Sequence, residues 1–316
     1  MKTTSDNMRG VGCLVLAMLI FSLQDIAVKG MGGDYPVLEI VIFRSFVALP
    51  STLLLFRYEG KRGLPTTPQH KLEYVRGIFL FLSYTTYFMG LAALPLADVA
   101  AIRFSAPLMI TFLSVVWLGE KVGLHRWLAL VVGFAGVLIM VRPGSTSFNM
   151  GSIFVLIATL FYALSVMITR RLRTTDSSAT MAYYSSLVYL MAAFVLAPLA
   201  LVVGEIPDAH PSISFLFRAW TMPTLLDWVI MSGLGLVWAS GMYLVARAYS
   251  LALASVAAPF EYVTLPINVM WGFVIWQEIP TWATWTGALL TVLSGMYILY
   301  HERRDRPARR AGRSVY

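Results

Sequence analysis

Four charged residues stand inside long apolar stretches of the sequence: Asp25, Arg44, Arg103 and Glu261. At the centre of a membrane helix each such charge costs about 2.5–3.5 kcal/mol on insertion scales. A charged residue there is therefore expected to contact a charged or polar partner or to face a water-filled cavity. Two acids and two bases could also pair with one another and join helices. This alternative stays open for Arg44 and Arg103.

Glu261 lies deep in its apolar stretch, about 15 Å in at 1.5 Å per residue and therefore near the middle of a bilayer. A carboxylate at that depth could be a partner for Arg103 or Arg44, a ligand for the amino group of a substrate, or a proton acceptor. We expect Glu261 to line a cavity and to contact a substrate or a proton during function.

Polar-tipped aromatic residues at mid-depth form a second set. Their hydroxyl and indole N–H groups find no partner in lipid, so most should face an interior cavity where the rings stack on a planar or apolar substrate. Packing between helices is the alternative, as is an interhelical hydrogen bond for Asn268. The predicted cavity and substrate-binding residues are Gln24, Asp25, Tyr84, Tyr87, Arg103, Tyr162, Trp238, Tyr243, Glu261, Tyr262 and Asn268.

Other residues are predicted to have structural roles in the helices or to take part in gating. Lys29 is close enough to the end of its stretch to reach the membrane surface, and prolines bend a helix either as a static kink or as a place to flex. Gly233 and Gly235 should allow close helix packing, while Glu120 and Glu278 should pack against or cap helix ends. The predicted structural or gating residues are Lys29, Arg44, Pro107, Pro259 and Pro266.

The composition requires a membrane setting. Of the 316 residues, 58% are hydrophobic and 13% are charged, and the mean hydropathy is +0.73. A soluble domain of this size could not hide so much apolar side chain. The net charge of +8 is better explained by helix orientation in a bilayer than by nucleic-acid binding.

Catalytic and metal-binding motifs are missing from the sequence. No G-x-S-x-G, H-E-x-x-H, P-loop or C-x-x-C pattern occurs, and the single Cys13 excludes a disulfide framework. We therefore expect no catalytic residue, no metal and no cofactor. The expected partners are a small-molecule substrate and the lipid bilayer but no nucleic acid, with the protein a monomer or a weak homodimer.

The sequence predicts ten membrane spans, because ten apolar runs approach the roughly 20 residues that cross a bilayer core. Lysine and arginine crowd the segments that an inside N-terminus makes cytoplasmic, so both termini are predicted to be cytoplasmic in a bacterial inner membrane. The predicted spans are 10–30, 36–56, 72–94, 97–118, 126–142, 150–169, 178–203, 223–246, 252–276 and 282–300.

The two halves of the chain resemble each other, since the run 90–140 has a weaker echo that begins at Tyr249. Each unit has five spans, an odd number, so the second must sit upside down relative to the first. Inverted repeats around a shared midplane site are typical of alternating-access carriers. The predicted fold is an all-α polytopic membrane protein with ten transmembrane helices in two inverted five-helix repeats. The predicted units are residues 1–145, residues 146–302 and a basic, unstructured cytoplasmic tail at 303–316.

Several segments resemble the EamA-domain branch of the drug/metabolite transporter superfamily. The first copy contributes FSLQDIAVKG (21–30), PVLEIVIFR (36–44), the long block 91–122 and GFAGVLIMV (133–141), and the second contributes 251–278. The resemblance implies a ten-helix basket around a central cavity that exports small metabolites or amino acids. Within the branch the chain looks most like the YddG-type exporters of aromatic amino acids, although Phe21 replaces the tryptophan of many relatives.

A carrier explains the repeat, the buried charges and the missing catalytic motifs together. A channel should show rings or filters of polar groups, and a membrane enzyme should show a catalytic cluster. The sequence therefore predicts a secondary transporter that exports small metabolites, most of all amino acids and aromatic ones among them. An exporter of nucleosides, sugars or cationic drugs is the alternative, and a channel is the weaker one.

Overall fold

The computed structural model describes most of the chain, and within the described ranges it is helical and contains no strand. This confirms the predicted all-α fold. The described ranges are 4–31, 34–118, 124–142, 148–172, 174–252 and 258–311.

Twelve α-helices and one 3₁₀ helix, Ala258–Val263, follow one another in these ranges. The short helix Pro211–Phe217 was not predicted, because seven residues are too few to stand out as an apolar run. The helices are α1 (Thr4–Met31), α2 (Val37–Tyr58), α3 (His70–Leu91), α4 (Leu96–Arg103), α5 (Ala106–Leu118), α6 (Leu124–Val141), α7 (Met150–Leu172), α8 (Ser178–Val203), α9 (Pro211–Phe217), α10 (Leu225–Leu251), α11 (Thr264–Trp276) and α12 (Trp282–Ala311).

Five of the described helical segments are long and apolar enough to cross a membrane by length and composition alone. They coincide with five of the predicted spans and lie in both halves of the chain. These segments are Met8–Met31, Val37–Tyr58, Met150–Leu172, Ser178–Val203 and Leu225–Tyr249.

The fourth predicted span, residues 97–118, is not one continuous helix. α4 ends at Arg103 and α5 begins at Ala106. Pro107, in the first turn of α5, has no amide hydrogen to donate to the carbonyl four residues earlier, which is that of Arg103. The predicted bend is therefore a break, and it leaves Arg103 at the end of a short helix.

The ninth predicted span, residues 252–276, is broken as well. The 3₁₀ helix, which contains Pro259 and Glu261, gives way to α11. Pro266 lies in the first turn of α11, where its missing N–H costs no hydrogen bond. Both breaks leave a charged residue beside a helix end instead of within a regular helix.

The C-terminal tail also differs from its prediction. α12 continues to Ala311, so residues 303–311 are helical where an unstructured tail was expected. Arginine and alanine are among the strongest helix formers, and the helix runs on through them. Residues 312–316 lie outside the described residues.

Helices from the two halves of the chain pack against each other in pairs. α1 packs against α10, α3 against α7, α2 against α8, α4 against α11, and α6 against α12. The largest buried cluster of apolar residues lies where α1, α2, α3, α8 and α10 meet. This arrangement encloses the centre of the bundle with side chains from both halves.

Polar contacts tie the loops together at one end of the bundle. The hydroxyl of Thr67, between α2 and α3, donates a hydrogen bond of 2.9 Å to Oδ2 of Asp176, between α7 and α8. Both side chains are buried at this junction. The α2–α3 and α7–α8 loops therefore lie on the same face.

Lys29 and Glu278 form an ion pair near the ends of α1 and α11. Nζ of Lys29 lies 2.5 Å from Oε1 of Glu278 and 5.0 Å from the ring centre of Trp276. Oε2 of Glu278 accepts the backbone N–H of Leu96 at 2.9 Å, which confirms the predicted capping role. Lys29 is thus held by a protein partner instead of reaching the surface. Glu120, the repeat counterpart of Glu278, lies outside the described residues.

Gly235 brings α10 into close contact with α2. A Cβ atom there would lie 2.4 Å from the carbonyl oxygen of Arg44 and 2.8 Å from Cβ of Val47. At Gly233 the same added atom would meet nothing within 4 Å. The predicted close packing is confirmed at Gly235 and wrong at Gly233, because residues two apart lie about 200° apart around a helix.

Alanine at these two glycines should therefore have opposite effects on stability. Gly235→Ala forces α10 away from the α2 backbone and should lower the free energy of unfolding by about 1–3 kcal/mol. Gly233→Ala adds no clash and should raise it by about 0.5–1 kcal/mol through helix propensity. Thermal unfolding of the purified variants measures both effects, and equal melting temperatures would contradict the packing.

Candidate functional site: a central cavity

A cavity lies at the centre of the bundle, between α1, α3, α4, α7, α8 and α10. The volume open to the centres of water molecules is about 70 Å³, which is room for a few waters. Aromatic rings form much of the wall, with amide, hydroxyl and guanidinium groups between them. The aromatic and polar lining residues are Phe21, Gln24, Ser83, Tyr84, Tyr87, Phe88, Arg103, Thr159, Tyr162, Tyr189 and Trp238.

Arg44 is fully buried on α2, against the aromatic rings of this wall. Its guanidinium carbon lies 3.7 Å from the ring centre of Tyr84 and 4.3 Å from that of Trp238. The ring centre of Tyr189 is 5.0 Å away, and Nη1 of Arg44 donates a 3.3 Å hydrogen bond to Oε1 of Gln24. Among the described residues no carboxylate lies within 4.0 Å of this guanidinium. Three aromatic rings and one amide therefore hold the Arg44 guanidinium. The ion pair, which was one of the two predictions for this residue, is not formed among the described residues.

Asp25 is held on α1 by two neutral donors. The hydroxyl of Tyr87 donates to its Oδ2 at 3.0 Å, and Nδ2 of Asn268 donates to the same oxygen at 3.2 Å. The bond from Asn268 joins α11 to α1, which is the interhelical role left open for this residue. Asp25 is 2% exposed and stands behind the wall that Tyr87 forms.

Glu261 is held in a similar way in the 3₁₀ helix. The hydroxyl of Tyr162 donates to its Oε1 at 3.3 Å, and the hydroxyl of Tyr249 donates to the same oxygen. Tyr162 lines the cavity, whereas Glu261 stands behind it. Both acids are therefore connected to the cavity through the hydroxyl group of a lining tyrosine.

Arg103 is the charged residue of the described cavity wall. Its guanidinium carbon lies 5.1 Å from the ring centre of Tyr87 and 5.6 Å from that of Tyr162. These two tyrosines are the ones that donate to Asp25 and Glu261. Neither carboxylate lies within 4.0 Å of Arg103. The Arg103 guanidinium therefore forms no direct ion pair with Asp25 or Glu261, and it lies near the tyrosine ring that hydrogen-bonds each of them.

Most of the predicted site residues come together at this cavity. Asp25, Glu261 and Asn268 form the layer behind the wall, in hydrogen-bond contact with it or with each other. The predicted residues that line the cavity are Gln24, Tyr84, Tyr87, Arg103, Tyr162 and Trp238.

Tyr243 and Tyr262 lie away from the wall, contrary to their predicted place. The Tyr243 hydroxyl accepts a 3.0 Å hydrogen bond from Nη1 of Arg247, one turn further along α10, which satisfies its polar tip locally. Tyr262 packs edge to face on Phe104 with ring centres 4.7 Å apart. Mid-depth in the sequence therefore does not by itself decide whether a tyrosine faces the cavity.

Tyr189 is the lining residue that sequence reasoning missed most plainly. It lies in the middle of α8, and its hydroxyl donates a 2.5 Å hydrogen bond to the carbonyl of Leu80. The criterion applied to the other mid-depth tyrosines would have found it. Aliphatic lining residues such as Met18 and Val245 carry no comparable signal, since apolar side chains face lipid and cavity alike.

The wall can bind and orient an organic molecule through ring faces and hydrogen bonds. Among the described residues, no group of three or more histidine, cysteine, aspartate or glutamate side chains is placed to hold a metal ion. The chemistry that the cavity offers is recognition, with cations near the wall and acids behind it.

Comparison with known proteins finds transporters of similar sequence. Residues 8–142 match the EamA-like transporter family. The chain is 27% identical to an S-adenosylmethionine uptake transporter of Rickettsia bellii, over 93% of this chain and 94% of the relative. It is 29% identical to a riboflavin transporter of Vibrio cholerae (86% and 87% covered) and 28% identical to a pseudopaline exporter of Pseudomonas aeruginosa (90% and 94% covered).

A solved crystal structure has the same fold. It aligns with a TM-score of 0.64 and 15% identity over 94% of this chain and 98% of the other. The relatives named above are similar over nearly their whole length and are named for different substrates, none of them an aromatic amino acid. The match of residues 8–142 to the EamA-like transporter family, the relatives named for transport and the five apolar helices together indicate a multi-pass membrane transporter.

Proposed function

We propose that this protein is a secondary transporter that exports small metabolites, chiefly amino acids with aromatic ones among them, by alternating access through the central cavity. The observation that carries the proposal is the cavity wall, which Tyr84, Tyr87, Tyr162 and Trp238 line together with the charged Arg103. Rings of this kind stack on planar side chains, while the hydroxyl and guanidinium groups bind polar ends.

The relatives support the broad class and leave the substrate open. Their names include an uptake transporter and an exporter, so the direction of transport rests on the resemblance to YddG-type exporters alone. The choice of aromatic amino acids as substrates likewise rests on that resemblance and on the aromatic rings of the cavity wall. Nucleosides, sugars or cationic drugs are the alternative cargo.

Alternating access rests on the proposal that residues 1–145 and 146–302 are inverted repeats. Two observations support it. Helices of one half pair with helices of the other, and the fourth and ninth spans both contain a break. Arg103 and Glu261 lie next to these breaks, so a movement there changes the distance between opposite charges.

We also propose that the chain lies in a bacterial inner membrane with both termini in the cytoplasm. Reporter fusions ending at Thr67 and Thr175 should be cytoplasmic, and a fusion ending at Asp208 should be periplasmic. The contact between Thr67 and Asp176 supports a shared side for the first two positions. A cytoplasmic signal at Asp208, or different sides for Thr67 and Thr175, would overturn this orientation.

Removal of the Trp238 ring should weaken transport. Trp238→Ala takes away a lining ring and should slow efflux of labelled L-tryptophan from proteoliposomes roughly tenfold, as expected for the loss of about 1.4 kcal/mol of contact. Trp285→Ala is the matched control, since Trp285 is 47% exposed on α12. If only sugars or nucleosides move in the same vesicles, the amino-acid proposal is wrong and the alternative stands.

The charge of Glu261 should be needed for transport. Glu261→Gln keeps the side-chain shape and can still accept hydrogen bonds from Tyr162 and Tyr249, but it removes the negative charge near Arg103. We expect normal insertion and thermal stability with transport lowered about tenfold or more, because the variant lacks the negative charge near Arg103 and a tenfold change corresponds to about 1.4 kcal/mol. Glu39→Gln, a buried acid away from the cavity wall, is the control. Wild-type transport by Glu261→Gln from about pH 6 to 8 would make this residue structural.

A further inference from the structure

Four hydrogen-bond donors beside the cavity have no acceptor among the described residues. They are Nε and Nη2 of Arg44, the hydroxyl of Tyr84 and Nε1 of Trp238. The three side chains are 0%, 5% and 5% exposed, respectively. Buried donors are nearly always paired, and each unpaired one costs about 1–3 kcal/mol.

The four donors belong to one cluster. The guanidinium of Arg44 lies against both rings, at 3.7 Å from Tyr84 and 4.3 Å from Trp238, and the two ring centres are 5.7 Å apart. Tyr84 and Trp238 line the cavity. The donors therefore lie close enough together for one ligand group to accept hydrogen bonds from several of them.

Charge makes the cluster selective. The rings stabilise the Arg44 cation through their faces, but a ring face does not replace the acceptors that its N–H groups lack. The acceptor found for this guanidinium is the neutral amide of Gln24. Asp25 and Glu261 already accept hydrogen bonds from tyrosines and stand behind the wall. A positive charge and unpaired donors therefore lie in and directly behind this side of the cavity wall.

We propose that the cluster of Arg44, Tyr84 and Trp238 binds the carboxylate of the transported substrate. A carboxylate has two oxygens with about four acceptor sites and matches an arginine edge flanked by neutral donors. The four donor atoms are covered in this conformation, so a ligand reaches them when the wall opens. The inference rests on the proposed transport function and adds the chemical group by which a substrate is recognised.

Matched acid and amide ligands test this proposal on the purified full-length protein. The two pairs are L-tryptophan with L-tryptophanamide, and 3-phenylpropionate with 3-phenylpropanamide, with dissociation constants measured by calorimetry. In the wild type each acid should bind about tenfold or more tightly than its amide, the range for a hydrogen bond to a charged group. Arg44→Gln should bring the ratio close to one.

Ring variants keep the test decisive if Arg44→Gln does not fold. Trp238→Phe and Tyr84→Phe each remove one donor and keep a ring, so each should lower the acid preference several-fold without loss of stability. Trp271→Phe is the matched control, because Nε1 of Trp271 is also buried without a partner but Trp271 does not line this cavity. Its acid preference should equal that of the wild type.

The outcomes separate this inference from the proposed function. If L-tryptophan is transported but acids and amides bind equally well, the carboxylate site is wrong and amino-acid transport stands. If 3-phenylpropionate is preferred in an Arg44-dependent manner while L-tryptophan neither binds nor moves, the site stands and the amino-acid proposal fails. An acid preference that survives all three variants, or no binding of either acid, overturns the carboxylate site.

Discussion

Charges inside the bundle must be held by the protein itself, because lipid offers them no partner. Arg44 meets three aromatic rings and the amide of Gln24, and Asp25 and Glu261 meet tyrosine hydroxyls. These partners come from both halves of the chain, so the bundle has to bring the halves together to hold the charges. Most of these partners also form the cavity wall, so the stability of the bundle and the proposed recognition of a ligand depend on one set of side chains.

The breaks in the fourth and ninth spans give this arrangement a means to change. Arg103 ends α4, and Glu261 lies in a 3₁₀ helix just before α11. Short helices shift more easily than continuous ones, since fewer backbone hydrogen bonds resist the movement. Near one end of the bundle the Lys29–Glu278 pair joins α1 to the start of α4 through Leu96. During a transport cycle, this contact would either have to break or the three segments that it joins would have to move together as the cavity opens.

Local sequence was enough to predict the all-helical fold, because run length and hydropathy decide it. It also singled out the four central charges, of which Asp25 and Arg44 are buried and Arg103 and Glu261 are half-buried. It did not distinguish a bend from a break at Pro107, since a missing N–H permits either. The identity of partners was harder still. Arg44 meets rings from α3, α8 and α10, because the pairing of helices decides which side chains touch. Hydrophobic periodicity indicates which face of a helix is buried but not which other helix packs against it.

The central claim is that substrate passes through this cavity, and thiol modification of the cavity wall tests it most directly. Ser83 lines the cavity, and Cys13, the single native cysteine, can be replaced by serine. A Ser83→Cys variant in that background should lose transport when a small methanethiosulfonate reagent labels it. Met222→Cys, at a position 91% exposed outside the cavity, should be labelled and still transport. Full labelling at position 83 with unchanged transport would contradict the account.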